Sequence, residues 1–239
     1  MLRRKGERIL KADTLEKEQN GTAPEICSPA EKKRTYEFFK RAADILLSVI
    51  ASLIILIPCA VIALLIFAED GGPVIYAHSR VGQGGRPIKV YKFRSMKRDA
   101  DNMEKYLTPV QQEEFKKEYK LNNDPRVTKI GRLLRRTSLD ELPQIFMNVL
   151  ILGNMSIVGP RPVVNEETLL YGESRDAFLS VKPGLTGCWA AYADKNTGYE
   201  NGSRQKMELY YISRRSAFFD LKIIFKTVST VVRKAIKRN

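Results

Sequence analysis

Two adjacent carboxylates, Asp140 and Glu141, lie in the stretch Thr137-Ser138-Leu139-Asp140-Glu141-Leu142-Pro143-Gln144. Arg132, Arg135 and Arg136 precede it, and Gly159-Pro160-Arg161-Pro162 follows. Acids set among arginines suit chemistry on phosphates, because guanidinium groups grip phosphate oxygens bidentately. Neighbouring acids in mid-helix would point about 100° apart, so one shared site demands an unusual backbone position. Pro143 supplies it. Proline lacks an N–H and is tolerated in the first helical turn, where that donor would be free anyway. Asp140 is therefore expected at or just before a helix start, with Leu142, Ile145, Phe146, Val149 and Leu150 as an apolar stripe at helical spacing. Ser138-x-x-Glu141 competes as a capping box, which would place Pro143 too deep in the helix. A proline in a helix interior costs about 3 kcal/mol and a lost cap about 1 kcal/mol, so the proline decides. At a helix start Asp140 is expected to be ionised, beside N–H groups that favour phosphate oxygens.

The rest of the composition narrows what could assist these acids. At 239 residues the chain has room for one sizeable domain and an appendage. A net charge of +14 points to anionic partners: phosphorylated small molecules, nucleic acid or an acidic membrane surface. Cys27, Cys59 and Cys188 are far apart and form no CxxC pair, which indicates neither a disulfide framework nor a zinc site and fits a reducing, cytosol-facing location. His78 is the only histidine, and its ordinary reading is a polar hairpin residue. A histidine-based triad elsewhere is thus excluded and a histidine-rich metal site is not expected, so any enzyme here must work through carboxylates.

Upstream of the site lies a membrane-length element. Residues 1–31 are polar and mixed in charge, with Gly21, Pro24 and Pro29, and read as a flexible tail. No apolar core follows Arg3-Arg4-Lys5, so a cleaved signal peptide is not expected. Residues 32–70 comprise a basic flank and the run Ile45–Ala68, 24 residues without a charge, closed by Glu69-Asp70. A straight helix of that length would reach about 36 Å and could cross a bilayer core of about 30 Å. Pro58, near the middle, equally permits a re-entrant hairpin. Residues 71–239 form the remaining domain.

Within that domain, residues 73–95 read as two short strands joined by a glycine-rich turn, with Lys92 and Arg94 on one strand face and Tyr91 and Phe93 on the other. Gly82-x-Gly84 lacks the third glycine and the helix of a dinucleotide fingerprint. Asp99–Lys120 reads as a surface helix pair broken at Pro109. Val158–Pro162 is a stiff loop that restricts Arg161, and Pro183–Trp189 is a second glycine loop holding the only tryptophan. The helix opening near Phe218 ends in Arg233, Lys234, Lys237 and Arg238. Its apolar side is expected to pack on the domain core, with contact to anionic lipid as the other possibility.

Taken in order, these motifs resemble a known family. Lys40-Arg41-x-x-Asp44, Arg80-Val81-Gly82, Tyr91-Lys92-Phe93-Arg94-Ser95-Met96, Asp124-Pro125-Arg126-Val127-Thr128, Leu139-Asp140-Glu141-Leu142-Pro143-Gln144, Met155–Pro162, Pro183-Gly184-Leu185-Thr186-Gly187 and Asp220-Leu221-Lys222-Ile223 follow the order seen in the bacterial sugar transferases. These are the monotopic phosphoglycosyl transferases that begin glycan assembly on undecaprenyl phosphate. The resemblance covers about residues 38–236, and the length suggests the small form. It implies a mixed α/β (α+β), membrane-associated fold: a re-entrant helix broken at Pro58, then one cytosolic catalytic domain with short strands and interfacial helices.

The resemblance also implies a reaction. A UDP-sugar donates sugar 1-phosphate to a polyprenyl phosphate with release of UMP, as the first step of exopolysaccharide, capsule, O-antigen or glycoprotein glycan assembly. Asp140 would be the nucleophile, Glu141 its helper in metal binding or in deprotonating the acceptor, and Mg²⁺ the cofactor bound by both. Lys92, Arg94 and Arg161 would hold the diphosphate, and Arg135 would meet the lipid phosphate. Because UDP-sugars are cytosolic, the domain would face the cytoplasm from the bacterial plasma membrane. Three positions depart from the family pattern: Ile57 before the proline, an apparent two-residue lengthening within 145–152, and Ala193-Asp194-Lys195 after Trp189. Two other readings compete, a basic nucleic-acid-binding module and a membrane-anchored scaffold whose catalytic stretch is degenerate. The membrane run speaks against the first, and intact Asp140, Glu141 and Arg161 speak against the second. Which sugar is carried, and whether copies form a homo-oligomer, is not legible.

Overall fold

The charge-free run folds as part of α1 (Arg34–Asp70), a helix of 37 residues in the computed structural model, which describes residues 34–118, 121, 123–193 and 202–236. Helical backbone continues through Pro58, so the expected parting into two arms is not seen as a gap in the helix. A proline inside a helix forfeits one hydrogen bond, here to the Ile54 carbonyl, while the turns on either side keep theirs. By length and composition α1 could cross a membrane, and Leu53, Ile54, Leu56 and Ile57 along its middle are at least 66% exposed.

Both ends of α1 are nevertheless held to the same body. Near its start Tyr36 and Lys40 donate to Asp220 at 2.8 and 2.7 Å, Arg41 donates to the Val149 carbonyl at 2.6 Å, and Asp44 accepts from Ser156 Oγ at 2.7 Å. Near its end Ile62 and Ile66 pack with Phe93 and Leu134, Glu69 accepts from the Lys129 N–H at 2.7 Å, and Asp70 pairs with Arg94. The helix and the domain thus belong to one unit beginning at Arg34, and the tail assigned to residues 1–31 lies outside the described residues.

Strands β1 (Ile75–Val81) and β2 (Pro87–Phe93) form the expected antiparallel hairpin, with Tyr76 opposite Lys92. Its turn uses positive φ at Gly84 and Gly85, 68° and 76°, a region that side chains disfavour. The expected split into a polar and an apolar face does not hold, because the hairpin is covered on both sides. Val90, on the Lys92 face, packs with Val149 and Met155, while Phe93 on the other lies under α1. Helices α2 (Met103–Tyr106) and α3 (Pro109–Glu118) are the surface pair, with Pro109 opening the second. Thr128 then caps α4 (Lys129–Thr137) by accepting from the Gly131 N–H at 2.9 Å. A Cβ at Gly131 would lie 2.0 Å from the Ser95 carbonyl oxygen, so only glycine lets α4 settle onto the end of β2.

After α4 come a 3₁₀ turn, Leu139–Glu141, and a π-helix, Ile145–Ile151. The α-helical stripe expected here is corrected by that wider winding, marked by the Leu152 N–H on the Met147 carbonyl at 2.9 Å. The π-helix buries Asn148 and Val149 and leaves Phe146, Ile151 and Leu152 exposed. Asn148 behaves as a strand residue toward β2: its Oδ1 accepts from the Tyr91 N–H at 3.0 Å, and its Nδ2 donates to the Lys89 carbonyl at 2.7 Å. The segment that departs from the family pattern is therefore the one wound as π-helix.

Strand β3 (Ser156–Val158) pairs in parallel with β4 (Gly184–Thr186). Around them lie α5 (Asn165–Thr168), α6 (Arg175–Leu179), α7 (Cys188–Tyr192), α8 (Ser203–Arg214) and α9 (Ala217–Ile236). Val158, Val163, Phe178, Tyr211 and Ile223 form the core of this half. The loops 158–162 and 183–189 press together so closely that a Cβ at Gly187 would stand 2.1 Å from the Gly159 carbonyl oxygen. Helix α9 was expected to give its apolar side to the core, and Ile223 does so. Phe218, Leu221, Phe225 and Val228, at helical spacing, remain between 48% and 70% exposed, because the helix carries more apolar surface than one packed side can cover. Lys237 and Arg238 at its end lie outside the described residues.

Candidate active site

The carboxylate pair sits in a tight turn because both flanks force one. Ser138 takes the left-handed conformation, φ 59° and ψ 21°, and stops α4, while Pro143 opens the next helical turn with no donor to satisfy. Between them the Leu142 N–H donates to the Leu139 carbonyl at 3.3 Å. Ser138 makes no side-chain cap, so the capping box does not form and the proline's preference prevails. This turn sends Asp140 inward, 9% exposed, and leaves Glu141 half-buried.

Lys92 reaches this turn from β2 and donates to Glu141 Oε1 at 2.6 Å. Asp140 is more finely balanced than a simple ionised helix-start acid. Burial pushes its carboxyl above the ordinary carboxylate value, Lys92 pulls it back, Glu141 adds to the rise and Arg135 opposes it. Arg135 is oriented by its Nε, which donates to Ser95 Oγ at 2.8 Å. Lys92, Arg135, Asp140 and Glu141 are thus brought together.

Arg94 is placed elsewhere. It follows the end of β2, is buried, pairs with Asp70 and donates to the Gly71 carbonyl at 2.7 Å. In this structure it is bonded to the end of α1. Arg161 belongs to a second group. Its backbone N–H donates to Glu208 Oε1 at 3.2 Å, its guanidinium lies 5.5 Å from the Trp189 ring centre, and Arg204 lies 4.5 Å from the same ring. Glu208 is wholly buried, and burial pushes its carboxyl up to about 7 against the pull of the Arg161 N–H and the Arg204 charge.

Glu208 and Asn148 carry only a faint mark of their roles in the sequence. The available signal was a polar side chain inside an apolar run, Met207-Glu208-Leu209 and Met147-Asn148-Val149, since such a residue is buried only with a partner. Of the Ala193-Asp194-Lys195 departure only Ala193 is described.

No group of three or more His, Cys, Asp or Glu side chains arranged for a metal occurs among the described residues. Mg²⁺ asks less than that, because one or two carboxylates suffice when phosphates and waters complete its shell. A buried acid whose negative charge is disfavoured, beside a second acid, is a donor set that a divalent cation stabilises, so Asp140 and Glu141 fit the ion.

The family described as bacterial sugar transferase matches residues 35–234, from α1 into α9. The chain belongs to the bacterial sugar transferase family. It is similar to the undecaprenyl-phosphate galactose phosphotransferase of Salmonella typhimurium, with 42% identity over 205 residues, 84% of this chain and 42% of that protein. Similar too are the UDP-glucose:undecaprenyl-phosphate glucose-1-phosphate transferase of Escherichia coli, 43% identical over 79% of this chain and 39% of that protein, and the exopolysaccharide production protein ExoY of Sinorhizobium fredii, 40% identical over 80% and 84%. The chain spans about two fifths of the length of the first two of these relatives and most of the third.

Proposed function

We propose that this chain transfers a sugar 1-phosphate from a UDP-sugar to a polyprenyl phosphate such as undecaprenyl phosphate, releasing UMP. An Asp140 carboxylate oxygen attacks the sugar-linked phosphorus, the bond from that phosphorus to the bridging oxygen breaks, and UMP leaves with the bridging oxygen. An oxygen of the polyprenyl phosphate then attacks the same phosphorus, the acyl phosphate breaks, and Asp140 is freed with the sugar now on a lipid diphosphate. The observation that carries this reading is the buried Asp140 carboxyl in a tight turn, where the charges of Lys92 and Arg135 favour its ionised form against the cost of burial. The relatives named for undecaprenyl-phosphate sugar transfer support it.

Asp140 and Glu141 would hold Mg²⁺, which when bound neutralises charge on the donor diphosphate. Glu141, steadied by Lys92, is available to take a proton from the acceptor, and Arg161 serves the phosphates from its own loop.

The same reading makes α1 re-entrant, entering and leaving on the cytoplasmic face of the plasma membrane. Polar bonds from both ends of α1 to one domain support this, since a spanning helix would need that domain on both sides. The test of the reaction is Asp140→Asn: UMP release with UDP-galactose, UDP-glucose and related donors is expected to disappear. Wild-type protein given donor without acceptor is expected to carry one sugar phosphate on the peptide holding Asp140. Full turnover in Asp140→Asn removes the nucleophile role.

A further inference from the structure

Where α1 begins, a small pocket of about 40 Å³, partly open to solvent, lies between that helix and the β3–β4 half of the domain. Four cations line it, Lys40, Arg41, Lys182 and Arg215, with two acids, Glu37 and Asp44, and an apolar floor of Val158 and Val181.

Most of these charges are already engaged. Lys40 pairs with Asp220 at 2.7 Å, Arg215 with Glu37 at 3.2 Å, and Asp44 accepts from Ser156 Oγ and from the Ile157 N–H. Arg41 donates to the carbonyls of Val149 and Leu150, which orient its guanidinium without neutralising it. Lys182 makes no hydrogen bond or ion pair with the described residues, and it faces Arg41 in a half-buried position. Burial and the Arg41 charge both lower its pKa, with Asp44 and Glu37 opposing. Two neighbouring cations, neither of them in an ion pair with a described residue, are an arrangement that an anion relieves.

We propose that this pocket binds a phosphate group through Lys182 and Arg41, with Arg215 at its edge. The pocket adjoins Ile45, where the charge-free run begins, so a phosphate carried on an anionic lipid head group would meet it at the level of the membrane surface. A soluble phosphate offers the same chemistry. The pocket's lining includes none of Lys92, Glu141 and Arg135, whose charges act on Asp140, so its occupancy and the transfer reaction stand or fall separately.

The full chain, purified in detergent and in nanodiscs of phosphatidylcholine with and without phosphatidylglycerol, tests this. Lys182→Gln is compared with Lys206→Gln, which removes an equal charge from an exposed position on α8 outside the pocket. Lys182→Gln is expected to lower phosphatidylglycerol retention about tenfold relative to Lys206→Gln, the scale of one lost bond to a charged group. UMP release is expected to stay unchanged. Selective loss of inorganic phosphate binding in detergent, with lipid retention intact, assigns the same site to soluble phosphate. Equal effects of the two substitutions on both ligands overturn the site. Should Lys182→Gln fail to fold, Lys182→Arg decides: binding like the wild type supports the site, and loss of binding with an unchanged melting temperature overturns it.

Discussion

Lys92 Nζ lies 2.6 Å from Glu141 Oε1, and the same charge bears on the buried carboxyl of Asp140. One lysine on the hairpin therefore serves both acids of the turn. Lys92→Met removes the cation that favours ionised Asp140, so the acid limb of the pH–rate profile is expected to move to higher pH, and turnover near neutrality to fall at least about tenfold. Lys92→Arg should recover part of the loss. A lower rate with an unmoved limb would confine Lys92 to holding substrate.

Two buried acids predict stability gains that run against function. For an acid whose folded pKa is raised, the stabilising contribution is complete below the unfolded pKa and is lost as pH rises through the folded one. Glu208 goes from 4.5 to about 7, so Glu208→Gln should stabilise the protein at pH 8 by on the order of 3 kcal/mol, with the gain vanishing toward pH 4.5. Asp140, raised above 3.8, should behave likewise, with Asp140→Asn melting higher than the wild type at neutral pH and the two converging in acid. Melting curves across that range check both. A wild type more stable than both variants at pH 8 would contradict the burial argument.

Asn148 ties the π-helix to β2 through bonds to Tyr91 and Lys89 and a third to Asn154 at 3.1 Å. Asn148→Leu leaves a buried N–H and a buried carbonyl unpaired, at a cost of about 2–4 kcal/mol. Denaturant unfolding should show this as a lower midpoint, and the Tyr91 amide should exchange faster with solvent. Equal protection at Tyr91 would show that the latch does not hold the strand.

Topology can be read by labelling. In a variant with Cys27, Cys59 and Cys188 replaced by serine, Phe39→Cys and Lys97→Cys place single thiols at exposed positions before and after the apolar run. If α1 is re-entrant, an impermeant maleimide applied to intact cells labels neither, and both react after lysis. Labelling of Lys97→Cys from outside would establish a span.

Much of the site was readable because its causes are local. Pro143 dictates the helix start, Gly84 and Gly85 the hairpin turn, and an uncharged run of 24 residues the apolar helix, each through constraints acting within a few positions of the chain. Motif order and these constraints together determined the family and the acids of the turn. Partnerships between distant segments were decided only in three dimensions: Lys92 with Glu141, 49 residues apart, Arg161 with Glu208, 47 apart, and Arg94 with Asp70, 24 apart. The π winding was hidden for a related reason. A short apolar run fits more than one helical period, and only Asn148, turned onto the edge of β2, selects between them.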